Sequence, residues 1–187
     1  MGAIEITGAI VGLCYLYYEY HASLWLWVFG VIMPLIYIYL YFSCGYYANM
    51  GLNIYYVGIS LYGFLKWRRK GEEGESPIYS CSASEGAKAV AGVVMLTVVS
   101  YLVLGHLEES QAPLWDGLST ALSVVGMWMM ARGFYQQWIC WILSEPILVY
   151  LCYRSGMYPV AGMYLVYLVV AIFGYRNWKR KYDNSQK

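Results

Sequence analysis

Charge is scarce in this sequence. Of its 187 residues only 12% are Asp, Glu, Lys or Arg, while 60% are hydrophobic and 19% aromatic. Soluble domains carry about 25% charged residues, so this chain has too few to cover a water-facing globule. Its five cysteines (Cys14, Cys44, Cys81, Cys140 and Cys152) are scattered, with no C-x-x-C pair. That spacing excludes a disulfide framework and a zinc site as expectations. The two histidines, His21 and His106, stand far apart with no companion ligand motif. No metal and no cofactor is expected, and a net charge of +1 offers no surface for nucleic acid. The opening MGAIEITG lacks a basic n-region and its apolar run leads on to others, so no cleavable signal peptide is expected.

What is present is a series of long apolar runs. A helix needs about 20 apolar residues to cross a bilayer, and seven spans fit, at roughly 3–20, 23–44, 50–67, 86–107, 113–132, 135–153 and 158–178. Turn formers join most of them closely, as in His21-Ala22-Ser23, Arg132-Gly133 and Ser155-Gly156. The exception is the polar stretch RRKGEEGESPIYSCSAS, beginning at Arg68. Orientation follows from the basic residues. With the N-terminus outside, Lys66, Arg68, Arg69, Lys70, Lys88, Arg132, Arg176, Lys179, Arg180, Lys181 and Lys187 are cytoplasmic, and only Arg154 is outside. The expected location is a plasma (inner) membrane, multi-pass, with the C-terminus in the cytoplasm.

A repeat underlies the hydropathy. GYYANMGLNIYYVGISLYGFLKWRRK, from Gly45, aligns without gaps on GMYPVAGMYLVYLVVAIFGYRNWKRK, from Gly156. Eight positions are identical, among them Gly51/Gly162, Tyr56/Tyr167, Gly63/Gly174 and Trp67/Trp178. Aromatic and basic belts end many cytoplasm-facing helices, but the upstream glycine and tyrosine matches exceed that explanation. The offset that carries Gly45 to Gly156 also pairs Trp27 with Trp138, Glu5 with Asp116 and Pro34 with Glu145. The expected fold is therefore an all-α integral membrane protein with seven transmembrane helices in a 3+1+3 parallel repeat. Its parts are a first three-helix repeat (1–67), a cytoplasmic linker (68–85), a linking helix (86–110), a second repeat (111–178) and a tail (179–187). Parallel repeats of this kind are a transporter architecture, with the substrate site near the midplane.

The span QWICWILSEPI carries the chemistry. Trp138, Trp141 and Glu145 fall at i, i+3 and i+7, on one helix face. A charged carboxylate at mid-span is unfavourable by about 2.5–3.5 kcal/mol on insertion scales, so Glu145 must face the protein interior or a wet cavity. Pro146 frees a backbone carbonyl one turn earlier, which also calls for polar company. Two indoles beside a carboxylate suit a flat cationic ring, through stacking, cation–π attraction and charge. The structural alternative is an interfacial Trp138 and a Glu145 paired with a polar neighbour. Asn53 and Ser60 of the third span could face the same cavity, although such residues also make helix–helix hydrogen bonds. Asp116 and Glu5 sit at the outer ends of their spans, where an acid suits the helix dipole.

These segments, with IEITGAIVGLCYLYYEY and LWDGLSTALSVVGMWMMARGFYQQWICWI, resemble the nicotinamide riboside transporter family (PnuC type) over nearly the whole chain. W-x-x-W, here Trp138 and Trp141, is the most specific mark. The resemblance implies a facilitator of 3+1+3 plan, similar to the SWEET sugar carriers and often a homotrimer, in which both tryptophans hold the nicotinamide ring. It implies no enzyme activity; a cytoplasmic kinase would trap the imported vitamin. Asn53 stands where the family usually has glutamine, Asn49 where it often has aspartate and Glu145 where asparagine is common. A related thiamine-carrying branch (PnuT type) makes thiamine the second candidate after nicotinamide riboside. The candidate substrate-binding set is Trp138, Trp141, Glu145, Asn53, Tyr56 and Trp27. A SWEET-like sugar carrier is the alternative, followed by an intramembrane enzyme, against which stands the single deep carboxylate.

Overall fold

Seven helices follow one another in the computed structural model, which describes residues 3–44, 47–71, 78–107 and 112–185. They are α1 (Ala3–His21), α2 (Trp25–Cys44), α3 (Tyr47–Lys70), α4 (Ala83–Leu107), α5 (Pro113–Ala131), α6 (Gln137–Arg154) and α7 (Tyr158–Ser185). Among the described residues no strand forms, and the side chains of Glu5 and Asn49 lie outside the described set. Each expected span corresponds to one helix, with ends a few residues away. The larger differences are at polar ends. α3 continues through Lys70 and α7 through Ser185, because Lys and Arg are good helix formers once outside the apolar run. α4 begins earlier than expected because Ser82 and Glu85 form a capping box. The Glu85 N–H donates to Ser82 Oγ (3.3 Å), and the Ser82 N–H donates back to Glu85 Oε2 (3.3 Å).

By length and composition alone, α2, α4 and α7 can cross a membrane. The other helices are tyrosine-rich or carry interior polar groups, but each presents large apolar side chains outward. Examples are Leu13 and Tyr17 on α1, Ile54, Leu61 and Leu65 on α3, Leu114 and Trp115 on α5, and Ile139 and Leu143 on α6. With the outward Val90, Val94, Met95 and Val98 of α4, this exceeds the apolar surface a water-soluble monomer exposes. The molecule is a multi-pass membrane protein.

The chain divides into two compact units, Met1–Pro77 with Ala131–Gly133, and Ile78–Met130 with Phe134–Lys187. In the first, α1 ends in a Schellman turn: Ala22 takes a left-handed φ of 57°, and the Ser23 N–H donates to the Tyr18 carbonyl (3.0 Å). Trp27 of α2, fully buried, lies across Gly63 of α3, where an added Cβ would sit 2.5 Å from the indole. Trp67 meets the same ring edge-on at 5.2 Å. Pro34 of α2 has no N–H to give the Gly30 carbonyl. Ser60 Oγ of α3 supplies the missing hydrogen bond instead, donating to Gly30 O at 3.0 Å. Ser60→Ala should lower stability by about 1 kcal/mol, seen as a small drop in the thermal midpoint of the detergent-solubilised protein. In a Pro34→Ala background, where residue 34 regains its N–H, that penalty should vanish. Equal penalties in both backgrounds would disprove this pairing.

Two of these devices recur later in the chain, at the offset seen in the sequence. α5 ends in a Schellman turn with Gly133 at φ 81° and the Phe134 N–H donating to the Met129 carbonyl (3.1 Å). Trp138 of α6 lies across Gly174 of α7, and Trp178 meets it edge-on at 5.9 Å. α4 packs on α5 through two glycines. Gly117 lies against Thr97, Ser100 and Tyr101, where an added Cβ would stand 3.2 Å from each, and Gly92 faces Val125. Ala89, Val125, Met129, Phe134 and Cys140 form a buried apolar core there. The linker end is held to the α5–α6 turn. Tyr135 N–H donates to the Tyr79 carbonyl (3.1 Å), Gln136 Nε2 donates to Ser80 Oγ (3.0 Å), and Gln136 Oε1 accepts from the Cys81 N–H (3.0 Å).

Candidate functional site

α6 starts beside this clamped turn, so its first residues are enclosed. Gln137 and Trp138 are both fully buried. One turn on, Trp141 is only part-buried, and its ring lies against α5. A Cβ built on Gly126 would meet its Cζ2 at 3.4 Å and Cε2 at 3.6 Å. Ser144 Oγ, itself buried, donates to the Trp141 carbonyl at 3.3 Å. Glu145 follows at 6% exposure, and Pro146 after it removes the N–H that would close onto the Ile142 carbonyl. α6 thus places a hydroxyl, a carboxylate and a proline-freed carbonyl within one turn, in the middle of a helix whose outer face is Ile139 and Leu143. Among the described residues no three His, Cys, Asp or Glu side chains gather as metal ligands would.

The expected residues separate by environment. Trp138 and Trp27 occupy matching places, each wedged over a glycine of the following helix and each touching a second tryptophan. Their indole N–H groups are both buried without an acceptor, as is that of Trp141. For Trp27 and Trp138 this orphaned donor recurs with the packing itself, so it belongs to the helix contact. Trp141 has no such counterpart, since the residue at the same sequence offset is Gly30. Its part-exposed side chain sets it apart from the fully buried Trp138. Asn53 and Tyr56 are part-buried on α3, in the other unit, and Asp116 is part-buried in the first turn of α5.

One buried acid escaped the sequence reading. Glu19 of α1 is 2% exposed and lies within electrostatic reach of Tyr15, which also senses Tyr56. It sits in the last turn of α1, where hydropathy expects a solvated carboxylate. The spacing Tyr15-x-x-x-Glu19 was the available signal, since it puts phenol and carboxylate on one face.

Residues 2–180 match the family described as nicotinamide mononucleotide transporter. Nicotinamide riboside transporter PnuC of Escherichia coli (strain K12) is 23% identical over 201 residues, covering 94% of this chain and 84% of that protein. Riboflavin/roseoflavin transporter RibM of Streptomyces davaonensis is 26% identical over 179 residues, covering 93% and 83%. A solved structure described as the crystal structure of the Vitamin B3 transporter PnuC superposes with a TM-score of 0.74 at 26% identity, covering 94% of this chain and 80% of that one.

Proposed function

The chain belongs to the nicotinamide mononucleotide transporter family, and on that premise we propose that this vitamin transporter imports a flat cationic ring by facilitated diffusion. Nicotinamide riboside is the first choice and thiamine the second. The observation that carries the choice is Glu145, a buried carboxylate one helical turn beyond the part-exposed ring of Trp141. Stacking on the indole and neutralisation by the carboxylate both reward a cationic aromatic. Riboflavin, carried by the RibM relative, is an uncharged ring and gains only the first. Trp138 then acts as a post between α6 and α7, and Asn53 and Tyr56 are the polar candidates on α3.

Calorimetric titration of the purified protein with nicotinamide riboside, thiamine and riboflavin tests the reading. Nicotinamide riboside or thiamine should bind more tightly than riboflavin. Preference for riboflavin would overturn the cationic assignment.

Two properties accompany it. Apart from Glu145 and Glu19 the described interior carries no carboxylate of comparable burial, and pumps ordinarily use a relay of several ionisable groups. Transport should therefore be uncoupled, with a cytoplasmic kinase sustaining net uptake. Proteoliposomes loaded with such a kinase should accumulate the vitamin after proton and sodium gradients are collapsed; arrest by either treatment would refute this. The sorting of eleven basic residues against Arg154 orients the N-terminus outside and the C-terminus inside. A C-terminal fluorescent protein should glow and a C-terminal alkaline phosphatase stay inactive, with the reverse pattern contradicting that orientation.

A further inference from the structure

One layer of each triplet is built from the same three positions with the bulk exchanged. In the first, the ring is Tyr15 on α1 and the glycine is Gly30 on α2; an added Cβ at Gly30 would lie 3.5 Å from Tyr15 Cε2 and 2.8 Å from Ser60 Oγ. At the repeat offset Tyr15 becomes Gly126, Gly30 becomes Trp141 and Ser60 becomes Ala171. The second triplet thus carries its ring on α6 and its glycine on α5. Gly126 is buried, and an added Cβ would stand 3.1 Å from Cys140 Cβ and 3.4 Å from Trp141 Cζ2. The nearest Trp141 atoms, Cζ2 and Cε2, form the edge of the indole next to its N–H, the donor that has no acceptor. Neither neighbour is the loose end of a flexible chain.

We infer that Gly126 is a positioning residue: it is the seat of the Trp141 indole, and a side chain there disturbs the ring that receives the substrate. This rests on the reading that Trp141 contacts the vitamin. A methyl group at 126 would reach the ring at contact distance, 3.4 Å from Cζ2 and 3.6 Å from Cε2, and would press harder on Cys140 Cβ at 3.1 Å. It therefore acts either through the ring it touches or by spreading α5 from α6 at Cys140. Only the first route depends on the size of residue 141.

The test is a cycle of Gly126→Ala, Trp141→Phe and their combination, titrated calorimetrically with nicotinamide riboside. Phenylalanine keeps an aromatic face but vacates the Cζ2 position above Gly126. Gly126→Ala should weaken binding about fivefold, because reacting or binding groups held within about 0.5 Å lose affinity steeply when moved. In the Trp141→Phe background the same change should alter affinity less than about twofold. Unchanged binding by Gly126→Ala, or an equal loss in both backgrounds, overturns the seat and points to Cys140. If Trp141→Ala binds as tightly as the unaltered protein, the premise itself fails, which is a separate result. A readout without ligand accompanies the cycle. In protein labelled with 5-fluorotryptophan, the fluorine resonance that Trp141→Phe abolishes should shift in Gly126→Ala, and a resonance that stays in place overturns the inference. Should Gly126→Ala fail to fold, recovery of folding in the double variant supports the seat, and failure to recover overturns it.

Discussion

Trp141→Ala should weaken binding of the vitamin about five- to thirtyfold while the protein still folds. The ring offers a stacking face and cation–π attraction together worth about 1–2 kcal/mol, and each ~1.4 kcal/mol is tenfold in affinity. Its surroundings tolerate the loss, because Trp141 is part-exposed and rests on a glycine rather than in the packed core. Glu145→Gln should act differently. It preserves shape and hydrogen bonding but deletes the charge, so a cationic vitamin should lose about tenfold and neutral riboflavin little. Titrations of both variants with nicotinamide riboside and riboflavin measure the contrast. If both variants fold and bind nicotinamide riboside with unaltered affinity, Trp141 and Glu145 are structural and the proposed site is wrong.

A large loss of stability is expected from Gly174→Ala. An added Cβ would fall 2.6 Å from Trp138 Cζ2 and Cη2 and 2.7 Å from Cε2, well inside van der Waals contact. The ring has nowhere to retreat: it is fully buried and Trp178 abuts it at 84°. Overpacking of this kind destabilises by about 1–3 kcal/mol, even though Gly→Ala inside a helix would otherwise be favourable by up to ~1 kcal/mol. Gly162→Ala, on the same helix with nothing within 4 Å, supplies the internal control and should be neutral or stabilising. Gly63→Ala should resemble Gly174→Ala, because Trp27 stands 2.5 Å from the added carbon. Thermal unfolding in detergent reads all three. A Gly174→Ala midpoint at or above that of Gly162→Ala would contradict the wedge described for Trp138. This comparison also separates the two tryptophans of W-x-x-W, since the proposed site assigns stability to Trp138 and binding to Trp141.

The sequence by itself determined the number of helices, their limits to within a few residues and the membrane setting, because these depend on local properties. Apolar run length, turn residues such as Gly133 and Gly156, and the grouping of basic residues act over one or two turns of chain. The constant offset in the sequence was also legible, and it pairs Trp27 with Trp138, Gly63 with Gly174 and Trp67 with Trp178, residues that make matching contacts. What a helix face touches is another matter. Trp138 and Trp141 lie on one face within a single turn, yet one is wedged against Gly174 of α7 and the other lies over Gly126 of α5. No periodicity distinguishes them, because each partner is a glycine and carries no side-chain signal. The same holds for Ser60, whose hydroxyl meets the carbonyl of Gly30 on the preceding helix, and for Glu19, buried near a helix end where composition expects water. Those assignments belong to the tertiary structure, since close packing and hydrogen bonding are pairwise and short-ranged, whereas hydropathy records only how much of each helix is hidden.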